Sequence, residues 1–160
     1  MKATGSRPQR IIAIAVVIAA TAIIVAHVLA QSATSLGKAQ LISPEELVRI
    51  IRSSGTAKPL ILNVGPRFLY LEAHIPGAEY MGAAAEAEGI QQLRKRAKSL
   101  PHNKSIVLYC GCCPWIHCPN VAPAFKELHA MGFTNVKVLY IANNFGSDWV
   151  EKGYPVTRGQ

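Results

Sequence analysis

Hydrophobic residues in this 160-residue chain follow two alternating spacings. Short apolar, aromatic or β-branched runs are typical of buried strands, and they occur over residues 40–42, 60–64, 79–81, 105–109 and 135–140. Helical spacing occurs between them: after Ser43, where Pro44 and Glu46 complete a helix-start signature, and over residues 84–99 and 121–131. This alternation predicts a three-layer α/β domain, in which helices cover both faces of a five-stranded, mostly parallel sheet.

A separate apolar segment precedes this domain. Residues 11–30 are apolar apart from Thr21 and His27, and about 20 helical residues reach about 30 Å, the hydrocarbon thickness of a bilayer. The basic residues before this hydrophobic helix favour a cytoplasmic N-terminus and a domain sent across the membrane. Residues 1–30 are interpreted as an uncleaved transmembrane anchor or as a signal peptide cleaved after Ala30.

Both interpretations predict a location in the cell envelope. The domain is expected on the extracytoplasmic side of the inner membrane, or in the periplasm or outside the cell if cleavage occurs. Residues 31–39, which are polar and small, are expected to form a tether, and residues 40–158 to form the domain. Half of the chain is hydrophobic and 16% is charged, which leaves room for one domain of ordinary size.

The formal net charge of +8 is a modest excess and is not accompanied by a nucleic-acid-binding pattern, so no nucleic-acid partner is expected. Its densest patch, Arg94-Lys95-Arg96 with Lys98, lies on an amphipathic helical pattern and is typical of a solvated face. No aromatic residues are interleaved with these charges, as they are in many nucleic-acid-binding segments. The membrane is an expected partner only through residues 11–30, if they are uncleaved.

All four cysteines of the chain fall within nine positions, at Cys110, Cys112, Cys113 and Cys118. Cys110 directly follows the predicted strand 105–109, and a helical pattern begins near Asn120. In open α/β sheets, ligands bind at this edge, where loop amides and a helix N-terminus stabilise an anion. We therefore predict that Cys110 is a reactive thiolate and that the chemistry of the protein occurs there.

Several short motifs follow one another along the domain. They are Leu62-Asn63-Val64-Gly65, Tyr70 with His74-Ile75-Pro76-Gly77-Ala78, Val107-Leu108-Tyr109-Cys110, Gly132-Phe133 with Asn135-Val136, and Trp149 with Gly153-Tyr154-Pro155-Val156. In this order, they resemble a rhodanese-like domain over nearly all of residues 41–158. The resemblance implies the rhodanese fold and a sulfurtransferase activity.

In the activity that this resemblance implies, Cys110 takes the outer sulfur of thiosulfate or a persulfide donor, carries it as a persulfide and gives it to a thiophilic acceptor. The expected partners are therefore a small sulfur-containing anion or persulfide donor and a thiol acceptor. No cofactor is expected.

The chain departs from the rhodanese pattern in three places. The active loop of rhodaneses is usually short and often ends in Arg, whereas no Arg lies between Arg96 and Arg158 here. Bidentate recognition of a sulfonate or phosphate by the loop is therefore lost, which counts against phosphatase and arsenate-reductase activities. The connection after Cys110 is also longer than usual, and Asn63 and Gly65 replace an Asp and an Arg.

The other three cysteines have alternative roles. Cys112 or Cys113 bridged to Cys118 would leave Cys110 free, as pairing is expected in an exported domain. Alternatively, Cys112 or Cys113 attacks a Cys110 persulfide and leaves a disulfide, which makes the loop a thiol–disulfide or persulfide reductase relay. A non-catalytic binding or metal-binding module is the third alternative; His117 would add a ligand, but the cysteine spacing matches no standard metal motif.

Loop residues beside the cysteines are candidates for a substrate pocket. They are Gly111, Pro114, Trp115 and His117. His74 belongs to a turn motif and is expected to be structural. Tyr140, Asn143 and Asn144 follow the last predicted strand, so they are expected on the same rim as Cys110.

Overall fold

Strands and helices alternate in a computed structural model that describes residues 36–55 and 58–159. In chain order they are β1 (Leu41–Ile42), α1 (Pro44–Arg52), β2 (Leu60–Asn63), α2 (Arg67–Glu72), β3 (Glu79–Tyr80), α3 (Ala87–Ala97), β4 (Ile106–Tyr109), α4 (Val121–Ala130) and β5 (Val136–Leu139). Trp115–His117 adds a 3-10 turn and Gly146–Val150 a π-helical turn.

The predicted anchor or signal peptide, residues 1–30, lies outside the described residues, as does most of the predicted tether, residues 31–39. Among the helices that the structure does describe, none combines the length and the apolar character needed to cross a membrane.

The five strands form one sheet in the order β1-β5-β4-β2-β3, and every neighbouring pair is parallel. This confirms the α/β fold predicted from the alternating patterns. β4 lies at the centre of the sheet, and all four of its residues are buried. Because Asn63 of β2 is in register with Tyr109 of β4, the chain segments that leave these two strands emerge side by side.

Alternate residues of β4 contribute to two hydrophobic cores, one on each face of the sheet. Ile106 and Leu108 belong to the core that includes Leu93 of α3 and Leu128 of α4. Val107 and Tyr109 belong to the opposite core, in which Trp149 is completely buried. A strand buried on both faces has no polar alternation, which is why residues 105–109 read as a continuous apolar run.

Local sequence signals predict the start of α1 correctly but not the start of α3. At α1, the Ser43 hydroxyl accepts a hydrogen bond from the Glu46 amide at 3.1 Å, which confirms the predicted cap. The helix predicted from residue 84 begins instead at Ala87. The amides of Ala84 and Ala85 are engaged elsewhere, since they donate to the Val64 carbonyl and to the Asn120 side chain.

The basic patch on α3 is partly neutralised by ion pairs. Arg96 donates to the Glu79 carboxylate at 2.6 and 3.0 Å, and Arg94 forms a similar two-bond pair with Glu127. These pairs connect α3 to β3 and to α4. Paired guanidinium groups are typical of the solvated face predicted for this patch.

Replacing Leu108 by Ala tests the importance of the central strand. Leu108 is fully buried, so Leu108→Ala is expected to lower the free energy of unfolding by about 2–5 kcal/mol. The matched control is Phe68→Ala, at a side chain 68% exposed, which should change it by less than about 0.5 kcal/mol. Urea unfolding followed by tryptophan fluorescence measures both. Equal losses in the two variants would contradict the assignment of Leu108 to the core.

Candidate active site

Cys110 leaves the central strand through a sharp turn. It directly follows β4 and is only 3% exposed. The next residue, Gly111, has φ 88°, and its carbonyl accepts a hydrogen bond from the Phe145 amide at 3.0 Å. A side chain at Gly111 would place its Cβ 2.8 Å from the Cβ of Phe145. Glycine is therefore required here both by the backbone conformation and by this close approach.

Asn63, the last residue of β2, and Gly65, two residues later, hold Cys110 in place. The buried Asn63 side chain donates to the Cys110 carbonyl at 3.4 Å and accepts from the Gly65 amide at 3.1 Å. A Cβ on Gly65 would lie 2.6 Å from the Cys110 carbonyl oxygen and 2.8 Å from its sulfur. The residues that depart from the rhodanese pattern thus fit one another, since Gly65 leaves the space that Cys110 occupies.

The structure brings all four cysteine sulfurs together as free thiols. The Sγ atom of Cys112 is the closest to the others, at 3.3 Å from Cys110, 2.8 Å from Cys113 and 4.0 Å from Cys118. The Sγ atoms of Cys110, Cys112 and Cys118 all lie within 4.8 Å of one another. The predicted pairing of Cys118 with Cys112 or Cys113 stays a prediction.

Asn120 is a site residue that the sequence did not reveal. Asn often caps a helix, and Asn120 immediately precedes α4, but its side chain makes no cap hydrogen bond. Instead its amide group donates to the Cys110 sulfur at 3.3 Å, and its oxygen accepts from the Ala85 amide at 2.8 Å. The only signal in the sequence was an Asn at a helix start, which ordinarily indicates a cap.

The thiol of Cys118 has a lowered pKa. The nearby Cys110 thiol, whose sulfur lies within 4.8 Å, is the main cause, and the backbone amides of Asn120 and Val121, at the start of α4, also lower this pKa, to about 6. The same contact with Cys118, followed by burial, raises the pKa of Cys110 far above its ordinary value. Burial and the neighbouring thiols raise the pKa of Cys113 to about 12. The raised pKa favours a protonated Cys110 beside Cys118, and the reactive Cys110 thiolate stays a prediction.

A cavity of about 300 Å³ opens beside Cys110. Its twelve lining residues include no Lys, Arg or His, and Glu72 is the only charged one. Arg67, at the start of α2, is not among these residues and lies over the Tyr80 ring, 5.6 Å from its centre. The cavity therefore has no cationic side chain with which to bind an anion.

The predicted pocket residues divide into those at this cavity and those beyond it. Gly111, Cys112 and Asn144 line it. The side chain of Trp115 lines a smaller apolar space behind Cys110 instead. Three predicted residues, Pro114, His117 and Tyr140, are not among the lining residues of either space, and His117 is exposed.

Two further predicted residues have structural contacts. The side-chain amide of Asn143 donates to the Asp148 carboxylate at 3.0 Å. His74 is buried, stacks on the Tyr70 ring with centres 3.9 Å apart, and donates through Nδ1 to the Tyr70 carbonyl at 2.8 Å. These contacts agree with the structural role expected for His74.

Solved structures share this fold at low sequence identity. The Alr3790 protein from Anabaena sp. matches with a TM-score of 0.57 and 21% identity, over 74% of this chain and 92% of that chain. The single-domain sulfurtransferase RDL2 from Saccharomyces cerevisiae matches with a TM-score of 0.53 and 13% identity, over 71% and 90%. EanB, solved as a cysteine persulfide in a tetrahedral intermediate state with ergothioneine, has a TM-score of 0.55 and 22% identity, over 73% and 27%.

The fold and the site together indicate the class of protein. It is an α/β domain with five parallel strands and a cysteine at the end of the central strand. The sequence model of the rhodanese-like domain matches residues 43–140, which is more than half of the chain. The chain therefore belongs to the rhodanese-like domain family. A search of curated proteins gives no match.

Thiol labelling at different pH values tests the assignment of the low pKa to Cys118. In the reduced, metal-free protein, iodoacetamide is expected to label Cys118 slowly, because the side chain is buried, but already at about pH 7, because its lowered pKa makes it a thiolate there. Its rate should rise around pH 6 and then level off, which mass spectrometry of the labelled peptide measures. Cys110→Ala removes the main cause of the lowering, so this midpoint should move upward. Preferential labelling of Cys110 would contradict the assignment.

Proposed function

We propose that the protein transfers sulfane sulfur from a persulfide donor to a thiol acceptor through a persulfide on Cys110. The observation that carries this proposal is the position of Cys110, at the end of the central strand of a rhodanese-like domain and on the wall of a cavity of about 300 Å³. Two proteins of the same fold, the yeast sulfurtransferase and EanB with its cysteine persulfide, support sulfur chemistry on this scaffold.

Activation of Cys110 requires the removal of its proton. The Cys118 thiolate accepts it: the two neighbouring thiols titrate as a unit, so the one negative charge that they share moves from Cys118 to Cys110. The proton passes through Cys112, whose sulfur lies 3.3 Å from that of Cys110 and 4.0 Å from that of Cys118. The side-chain amide of Asn120 then stabilises the charge on Cys110, since it already donates to this sulfur.

Sulfur transfer follows as a displacement at the donor. The Cys110 thiolate attacks the outer sulfur of a persulfide R–S–SH, and the bond between the two donor sulfurs breaks. The leaving thiolate takes the proton that Cys118 received, so the products are R–SH and a Cys110 persulfide. An acceptor thiolate then attacks the outer sulfur of this persulfide, leaves with it, and restores the Cys110 thiolate.

The charge of the cavity favours an alkyl persulfide over thiosulfate as the donor. Thiosulfate is a dianion, and none of the lining residues carries a positive charge. The carboxylate of Glu72 would repel it instead. A hydrogen bond to a charged group contributes about 1.5–3 kcal/mol, so each missing cationic contact costs about 10- to 100-fold in transfer rate.

Sulfur loading of the reduced protein tests the proposal. Mass spectrometry is expected to show one added sulfur on Cys110 after reaction with a small alkyl persulfide, and none on Cys110→Ser at that position. Loading from thiosulfate should be at least about 10-fold slower, because the cavity offers no cation. The matched control is His117→Ala, at an exposed loop residue, which should load like the wild type.

Two results would contradict this proposal. Failure of the wild type to load sulfur on Cys110 from any donor would exclude the transfer itself. Equal rates from thiosulfate and from the alkyl persulfide would exclude the donor preference.

A persulfide reductase relay is a second candidate, favoured by the 3.3 Å separation of the Cys110 and Cys112 sulfurs. Here the Cys112 thiolate attacks the inner sulfur of the Cys110 persulfide. Hydrosulfide leaves, and a disulfide joins Cys110 to Cys112. Each turnover consumes two electrons, so an external dithiol is needed to reduce this disulfide.

Release of hydrosulfide distinguishes the relay from transfer. With one equivalent of alkyl persulfide and no acceptor thiol, the relay predicts about one equivalent of hydrosulfide and a protein mass two hydrogens lower. Cys112→Ser should then keep its persulfide on Cys110 and release none. A stable Cys110 persulfide in the wild type would contradict the relay and agree with transfer.

A further inference from the structure

The sulfurs of three of the four cysteines converge on one point. A protein that carries sulfur as a persulfide on one cysteine does not need this arrangement. The sulfurs of Cys110, Cys112 and Cys118 lie within 4.8 Å of one another, with separations of 3.3 Å and 4.0 Å from Cys112. A thiolate bond to a first-row metal such as zinc is about 2.3 Å long, so an ion in trigonal coordination separates its sulfurs by about 4.0 Å. The three sulfurs are thus already spaced for one ion.

The number and type of these ligands select the ion. Thiolates are soft ligands that favour Cu(I) and zinc over harder ions. Structural zinc sites almost always have four ligands, whereas Cu(I) is satisfied by three thiolates. In the part of the chain that the structure describes, only these three residues form a convergent group of His, Cys or carboxylate ligands. His117, the fourth ligand considered from the sequence, is exposed and lies outside that group.

The surroundings of the three sulfurs suit a buried soft ion. Cys110 and Cys118 are 3% and 6% exposed, and apolar side chains of Val121, Leu139 and Ile141 line the space behind them. This shell keeps water from the sulfurs on the side away from the cavity. The Asn120 side-chain amide donates to the Cys110 sulfur, a contact that orients the ligand and offsets its negative charge.

We infer that Cys110, Cys112 and Cys118 form a three-thiolate site for Cu(I). When the ion binds, the thiols release their protons to the solvent, and neither copper nor sulfur changes its oxidation state. The site does not depend on the proposed sulfur transfer. Because the ion occupies Cys110, however, the metal-bound form and the persulfide form of the protein exclude each other.

Titration with Cu(I) under anaerobic conditions tests the inference. The reduced full-length protein is expected to take one equivalent of Cu(I) from a chromophoric Cu(I) chelator and to gain an ultraviolet thiolate-to-copper absorption band. Loss of a residue that hydrogen-bonds to a metal ligand commonly costs up to about 100-fold in metal affinity, so loss of a ligand in Cys112→Ser or Cys118→Ser should cost at least that much. Circular dichroism checks that both variants fold.

Cys113→Ser is the matched control, since it removes a neighbouring cysteine outside the convergent group. Its affinity for Cu(I) should stay within about threefold of the wild type. An equal loss in Cys113→Ser, or no Cu(I) taken from the chelator, would overturn the three-thiolate site. Tighter binding of zinc than of Cu(I) in parallel titrations would overturn the choice of ion. A protein that binds Cu(I) but fails to load sulfur would retain this inference and exclude the proposed transfer.

Discussion

The site depends on the close approach of two parallel strand ends. Because β2 and β4 are paired in register, the chain leaving Asn63 runs directly beside the chain leaving Tyr109. The backbone of Gly65 then lies so close to Cys110 that even a methyl group would collide with its carbonyl and its sulfur. Asn63 secures the same contact with hydrogen bonds to both segments. The position of the Cys110 sulfur is therefore set by the sheet as much as by its own loop.

The long loop after Cys110 determines which groups surround its thiol and so affect its charge. The loop has less influence on where the thiol lies. In an arginine-containing loop, a guanidinium would stabilise negative charge at the site. Here three more sulfurs surround Cys110, and a negative charge on Cys118 raises the pKa of Cys110. Such groups titrate as a unit, so the reactivity of each thiol depends on the state of its neighbours. The cavity on the other side of Cys110 adds no positive charge.

The sequence predicted those parts of the molecule that depend on local patterns. The strands, the cap at Ser43 and the position of Cys110 after the central strand follow from spacing and composition, and the structure confirms them. The contact of Asn120 with Cys110 could not be predicted in this way, because it joins residues ten positions apart across a loop. The same holds for Glu72, which reaches the cavity from another helix. The lowered pKa of Cys118 depends on both its neighbours and the amides of α4.

The depth at which Cys110 lies limits what can reach it. Its cavity, about 300 Å³, is at the small end of the roughly 300–1,000 Å³ typical of small-molecule sites, and the sulfur itself is almost completely covered. A compact molecule fits this space, and so does a single side chain on an extended segment. A cysteine within a rigid, folded surface does not. In the proposed transfer, access would therefore sort donors and acceptors by shape before any difference in their sulfur chemistry applies.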